Sequence, residues 1–133
     1  MLHIKQIKNG EKILAIIVSG NKSEKGLEFP TPSNFPLQLG IHYRSKGEYI
    51  SAHEHIPFQN LNIPVQEILM IEEGQLVISL YDENNKFEDV VLSKGDIILL
   101  NCGHSITFKE DSKLVEVKQG PYRDKKHEKI SLE

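Results

Sequence analysis

The feature that most constrains the fold is a succession of short β-rich runs, each bounded by Gly, Pro, Asn or Asp, with little helical periodicity. About nine or ten such runs at this spacing predict an all-β sandwich or barrel rather than a βαβ fold. Only the first few residues or the last dozen are candidates for a helical turn or a loose arm. The predicted strands are 13–19, 37–44, 48–55, 66–72, 75–81, 87–92, 97–100, 104–108 and 114–118, and the proline-containing segment 20–36 is predicted as a loop.

The composition narrows the class of protein. A chain of 133 residues suits one domain with a single core. Its 16 basic and 19 acidic residues are spread along the length and give a net charge of −3. Nucleic acid is not an expected partner, because phosphate recognition needs a concentrated basic face.

Membrane insertion and secretion are not expected either. The longest apolar run, 13–18, has the length of a strand, whereas a membrane-spanning helix needs about 18 apolar residues. The start of the chain lacks the layout of a signal peptide. The single cysteine, Cys102, excludes an intramolecular disulfide framework. These features favour a cytoplasmic protein.

The sharpest local feature is the tripeptide His53-Glu54-His55. On a strand, residues two apart point to the same face, so the two imidazoles would lie side by side. Two imidazoles with a nearby carboxylate form typical sites for Fe, Mn, Ni or Zn ions. Glu67, on the next predicted strand, is the candidate carboxylate. The alternative is a set of polar side chains that bond only to each other or to water.

The spacing around these residues resembles the first motif of the cupin superfamily, which reads G-x5-H-x-H and then E-x6-G. Gly47 stands six residues before His53, and Glu67 stands seven before Gly74. The spacer from His55 to Glu67 holds eleven residues, which is longer than is usual in the family. A longer loop between antiparallel strands need not disturb their pairing.

The second cupin motif is matched less closely. Gly95 and Gly103 fit it, but Asn101 stands where proline is usual, and Ile106 occupies the position of the third histidine ligand. His104 is displaced from that position by two residues. Since a shift of two preserves the face of a strand, His104 is a candidate fourth ligand. The alternative role for its imidazole is a hydrogen bond to a backbone carbonyl.

The resemblance implies a single cupin domain over 1–133, an antiparallel β-barrel of the jelly-roll type. The barrel core is expected at about 37–120, with added strands in 1–36 and a C-terminal arm at 121–133. Within the superfamily, the runs 66–69, 95–96, 103–104 and 115–122 resemble a group of small bacterial cupins often associated with surface-polysaccharide or sugar-nucleotide genes. The resemblance therefore implies a divalent metal bound by His53, His55, Glu67 and His104, and a small polar molecule as partner in the barrel lumen.

Several functions fit this expectation. One is a metal-dependent isomerase, epimerase, lyase or dioxygenase of sugar or sugar-nucleotide metabolism. The alternative is a non-catalytic binding or sensing module, which the missing third histidine favours. A third option is a structural homodimer whose site is vestigial. A homodimer is expected in any case, and the apolar run 13–18 is either its interface or part of the core.

Other residues are ambiguous between ligand binding and a structural role. Arg44 is a candidate for an anionic group of the ligand, or a surface guanidinium. Glu116 and Lys118 share one face of the last predicted strand, which faces either the lumen or solvent. Cys102 borders the predicted site, and a small buried apolar role is favoured over a reactive thiol.

Overall fold

All regular structure in the computed structural model is antiparallel β-strand, within the residues that it describes: 1–53, 63–119 and 132. The prediction of an all-β chain is confirmed. The described strands are β1 (Leu2–Asn9), β2 (Lys12–Gly20), β3 (Gly26–Glu28), β4 (Ile41–Tyr43), β5 (Glu67–Glu73), β6 (Gln75–Asp82), β7 (Asn85–Ser93), β8 (Ile97–Leu100), β9 (Gly103–Phe108) and β10 (Lys113–Lys118).

The strands form two sheets and a separate hairpin. The larger sheet has the order β1-β2-β8-β5-β10, the smaller has the order β7-β6-β9, and β3 pairs with β4. Both sheets keep open edges, so the strands described here do not close into a barrel. The molecule is a sandwich in which β5 continues into β6 through one turn and carries the chain from one sheet to the other.

A first core fills the space between the two sheets. Strands β5 and β8 contribute alternate residues of the larger sheet, and β6 contributes those of the smaller. Burial of these aliphatic side chains is the main favourable term in folding. The most deeply buried members, all at or below 2% exposure, are Ala15, Leu69, Leu76, Ile78, Leu80, Leu92, Ile98 and Leu100.

A second core lies on the opposite face of the larger sheet. It contains Ile16, Val18, Leu39, Ile68 and Leu99, with partly buried residues from the segment before β4 packed against it. The central strands are therefore covered on both faces, which explains why their sequences are continuous apolar runs. Strand β2 pairs with β1 on one side and β8 on the other. The core interpretation of run 13–18 is thus confirmed.

Gly74 makes the corner between the sheets. Its φ of +90° lies in the left-handed region, which glycine adopts without steric cost. A Cβ atom at this position would overlap the Ser112 hydroxyl and the Asp111 carbonyl oxygen. The tight turn predicted between 66–72 and 75–81 is confirmed, and both the backbone conformation and the close approach require glycine there.

Four predicted elements differ from the structure. The start of the chain is strand β1 rather than a helical turn or arm, and segment 20–36 contains the short strand β3. The strand predicted at 37–44 is shorter in the structure, where it is β4. Residues 48–53 form no strand, and among the described residues no strand pairs with their exposed Tyr49 and Ile50. Residues 54 and 55 of that prediction lie outside the described residues.

Candidate functional site

Glu67 and His104 meet at one end of the sandwich, although they belong to different sheets. Glu67 begins β5 and lies on the same face as Leu69, which is in the first core. His104 lies opposite Leu80 on β6, so it too points between the sheets. Its Nε2 atom is 3.5 Å from Oε1 of Glu67, and the two side chains are 25% and 17% exposed respectively.

The face of His104 agrees with the prediction made from the shifted motif. Ile106, two residues later, is opposite Ile78 and packs against the first core. Strand β9 begins at Gly103, so the alternation of faces already holds at His104. Gly103 also makes room for Leu132, whose side chain occupies the space that a Cβ atom would fill.

The other ring nitrogen of His104 is held by the backbone. Nδ1 lies 3.1 Å from the carbonyl oxygen of Cys102, which can only accept, so Nδ1 carries the proton and donates. In the neutral ring this leaves the lone pair on Nε2, directed at Glu67. A backbone carbonyl that fixes the tautomer in this way is a common partner of metal-binding histidines.

The electrostatics of the pair favour the charged forms. Interaction with His104 is the largest cause that lowers the pKa of Glu67, opposing the effect of burial. Reciprocally, Glu67 is the largest cause that raises the pKa of His104, again against burial, and the Cys102 carbonyl adds to it. In the absence of a bound cation the two shifts therefore widen the pH range over which the groups form a carboxylate–imidazolium pair.

Glu116 and Lys118 belong to the same end of the sandwich. Lys118 is opposite Glu67 on the neighbouring strand, and Glu116 is opposite Leu69. Directly opposed residues share a face of the sheet, so both stand on the inward side of β10 rather than on its outer face. Glu116 and the positive charge of Lys118 also lower the pKa of Glu67.

The remaining predicted residues are placed elsewhere or outside the described residues. His53 is exposed, with Nδ1 2.8 Å from the Ser51 carbonyl oxygen, in a segment that is not a strand. His55 lies outside the described residues. Arg44 follows β4, and its Nε donates to Nδ1 of His42 at 3.2 Å. Among residues 1–53, 63–119 and 132, no group of three or more His, Cys, Asp or Glu side chains is arranged to hold a metal ion.

The two assembled donors fit a shared cation. Two ligand atoms at about 2.1 Å from a tetrahedral metal ion lie about 3.4 Å from each other. The 3.5 Å between Nε2 and Oε1 matches that separation and exceeds an ordinary N–H···O hydrogen bond of about 2.9–3.0 Å. An imidazole and a carboxylate are suitable ligands for Zn, Fe, Mn or Ni. The pair therefore has the separation and the chemistry of two neighbouring ligands in a four-ligand site.

Cys102 does not behave as a reactive thiol. It packs against the first core, and burial raises the pKa of its thiol. A raised pKa keeps sulfur protonated and weakly nucleophilic. The packing and the raised pKa favour the interpretation of Cys102 as a small apolar residue, and its side chain is half-buried rather than fully buried.

Sequence reasoning missed the residue that anchors this end of β5. Gln66 is 1% exposed, and its side chain accepts from the Leu37 N–H at 2.9 Å and donates to Oδ1 of Asn101 at 3.0 Å. Asn101 in turn donates to the Ile13 carbonyl at 3.0 Å. The available signal was Asn101 itself, which departs from the proline of the motif and serves this network.

The pKa shifts predict a bell-shaped contribution to stability in chelator-treated protein. The lowered pKa of Glu67 gives stability that is fully present above the ordinary carboxyl pKa of about 4.3 and is lost as pH falls through the folded value. The raised pKa of His104 gives stability that is fully present below about 6.5 and is lost as pH rises through the folded value.

We therefore expect His104→Gln to destabilise the protein more at pH 5.5 than at pH 8.5, by about 1 kcal/mol. Urea unfolding of both proteins at the two pH values, with EDTA present, measures this difference. His3→Gln, at an exposed position of β1, is the matched control and should show no such change. Equal destabilisation by His104→Gln at both pH values would contradict the ion pair.

Comparisons of the chain with protein-family models, with curated proteins and with solved structures found no match. In the part of the chain that the structure describes, no helix has the length and apolar character needed to cross a membrane.

Proposed function

We propose that this protein is a cupin-type β-sandwich that binds a divalent transition metal ion and a small polar ligand between its two sheets. The observation that carries the proposal is the Glu67–His104 pair. Its two donor atoms come from different sheets, stand 3.5 Å apart and remain partly accessible. The Cys102 carbonyl orients the imidazole so that Nε2 is free to bind a cation.

In this proposal His53 and His55 complete the ligand set. The support for them is the motif spacing, G-x5-H-x-H before E-x6-G, since His53 makes no group with Glu67 and His104 among the described residues. Four nitrogen and oxygen ligands of this kind suit Fe, Mn, Ni or Zn, which the residues alone do not distinguish.

The chain's own residues would bind and orient the ligand. A bound divalent ion would supply a Lewis acid for a carbonyl or hydroxyl oxygen of a small polar molecule. Lys118 presents an ammonium group on the inward face of β10 for a carboxylate or phosphate, and Glu116 presents a carboxylate for a hydroxyl. A sugar or sugar nucleotide has both kinds of group, so a metal-dependent enzyme of carbohydrate metabolism is the first form of the proposal.

The second form is a non-catalytic binding or sensing module. It is favoured by Ile106, which packs into the first core at the position where the cupin motif has its third histidine. Such a module would need only to hold the ion and the ligand. In either form we also propose a cytoplasmic homodimer.

Metal content is the direct test. We expect untagged protein purified without chelators to hold nearly one equivalent of metal by inductively coupled plasma mass spectrometry, and the His53→Ala/His55→Ala double variant to hold little. The identity of the metal would then narrow the reaction class. Wild-type protein that takes up none of Fe²⁺, Mn²⁺, Ni²⁺ or Zn²⁺ on incubation would refute metal binding.

A further inference from the structure

A cavity lies on the face of the larger sheet that is opposite to the Glu67–His104 pair. Its volume is about 310 Å³, at the small end of the range for small-molecule sites. Its walls come from β1, β2, β4 and the turn before β8. The apolar side of the cavity is formed by Leu2, Val18, Ile41 and Ile97, all of which belong to the second core or pack against it.

This cavity is separate from the site at Glu67. In the paired strands Ile97 is opposite Met70, whereas Glu67 is opposite Leu100. The two places are therefore three residues apart along the strands, about 10 Å. They are also on opposite faces, because Ile97 packs on the second core and Leu100 on the first.

The polar side of the cavity is cationic. Lys22 lines it with a side chain that is only 10% exposed, and its Nζ is 3.5 Å from Oε1 of Glu28. Lys22 therefore donates a long hydrogen bond to Glu28, longer than a close charge-assisted bond of about 2.7–2.9 Å, and an ammonium group has two further N–H donors for a ligand. No Asp or Glu is among the described residues that line this cavity.

Neighbouring groups add donors and positive charge. His42 lines the cavity and accepts at Nδ1 from Arg44, so the proton of its neutral ring is on Nε2 and is available to donate. The Nζ atom of Lys25 lies 3.9 Å from the ring centroid of Tyr43, which also lines the cavity. Lys22 in the lining, Lys25 beside Tyr43 and Arg44 beside His42 thus bring three basic side chains to the cavity or next to it. Glu24 and Glu28, which line an adjoining cleft together with Lys22, oppose them.

We propose that this cavity binds a small organic anion, with a carboxylate or phosphate head near Lys22 and His42 and an apolar body against Leu2, Val18 and Ile97. A partly buried ammonium attracts an anion more strongly than an exposed one does, because water screens it less. The apolar wall excludes fully hydrated inorganic ions in favour of amphipathic ones. Arg44, a candidate for an anionic group of the ligand or a surface guanidinium, adds positive charge to this cavity through its bond to His42.

The test is a titration of ¹⁵N-labelled protein followed by heteronuclear NMR. Hexanoate and hexyl phosphate are the probes, 1-hexanol is the neutral probe of the same chain length, and inorganic phosphate is the anion without an apolar body. We expect saturable shifts of the Lys22, Ile41 and Gly95 amides with the first two probes, and the stronger of them identifies the head group. Equal affinity for 1-hexanol, or no saturable shifts with either organic anion, would overturn the proposal.

Lys22→Gln should weaken the binding of the better probe about tenfold, because a hydrogen bond to a charged group is lost. Lys109→Gln, at an exposed position after β9, is the matched control and should bind as wild type does. Unchanged affinity in Lys22→Gln would refute the role of its ammonium.

Two further measurements keep the test decisive if Lys22→Gln folds poorly. Arg44→Gln, at an exposed position, should weaken binding about twofold to threefold by reducing the local positive charge, and higher salt should weaken binding to wild type. Affinity insensitive to both would overturn the proposal. Glu67→Gln should leave anion binding unchanged, because Glu67 does not line this cavity. The outcome of the anion titration is therefore independent of the outcome at the proposed metal site.

Discussion

Replacing His104 with alanine is expected to lower the affinity of the protein for Zn²⁺ by about 100-fold or more. Loss of a residue that merely orients a metal ligand typically costs about 10–100-fold, and His104 is proposed as a ligand itself. The substitution removes Nε2, one of the two donors that the structure brings within 3.5 Å of each other. Calorimetric titration of chelator-treated protein with Zn²⁺ measures the effect.

Glu67→Gln tests the other donor. The amide retains the shape of the side chain but loses the negative charge, so we expect a loss of about 10-fold or more in Zn²⁺ affinity. His3→Ala is the control, since His3 is an exposed histidine on β1 far along the chain from the motif residues. If His104→Ala bound Zn²⁺ as tightly as wild type and His3→Ala, the Glu67–His104 contact would be an ion pair and not part of a metal site.

Most strand positions could be predicted from the sequence because their patterns are local. Strands β2 and β8 lie between two cores, so burial on both faces selects continuous apolar runs. The β6–β7 connection is signalled by polar residues, and there Glu83 and Asn84 adopt φ values of +49° and +71°, as hairpin turns of this kind require. Each of these signals is carried by neighbouring residues.

The elements that were mispredicted depend on distant partners. Strand β1 buries only Ile7 among its eight residues, so its sequence lacks a clear apolar face, and it forms because β2 pairs along its whole length. Segment 48–53 has the composition of a strand but no described neighbour to pair with. Strand formation there is decided by tertiary pairing rather than by propensity.

The candidate site was also predictable where its signals are local, and not where they depend on distant partners. Motif spacing selected Glu67, and two-residue periodicity placed His104 on the inward face although the motif histidine is missing. The inward position of Glu116 and Lys118 was not decidable from alternation, because it depends on the register of β10 with β5. Gln66 was not predictable either, since its side-chain partners are 29 and 35 residues away.

Gln66 is the most deeply buried polar residue in the part of the chain that the structure describes, so its replacement should affect stability strongly. Gln66→Ala leaves the Leu37 N–H and the Asn101 side-chain oxygen without the partner they have in the native protein. An unsatisfied buried group costs about 1–3 kcal/mol, and because these two bonds are part-buried the lower end of that range applies to each. The space left by the side chain adds a cavity term. We expect a loss of about 4 kcal/mol in the free energy of unfolding, measured by urea denaturation.

Gln66→Met separates the two contributions. Methionine fills a similar volume, so only the hydrogen-bond term should remain, and we expect a loss of about 2 kcal/mol. Gln6→Ala, at an exposed glutamine on β1, should change stability by less than about 0.5 kcal/mol. The hydrogen bond from the Leu37 N–H to Gln66 holds the segment before β4 against the sheet. The Leu37 amide should therefore also exchange faster with solvent in Gln66→Ala. Stability within 1 kcal/mol of wild type in Gln66→Ala would show that water replaces both bonds and that the covering segment is held by the second core alone.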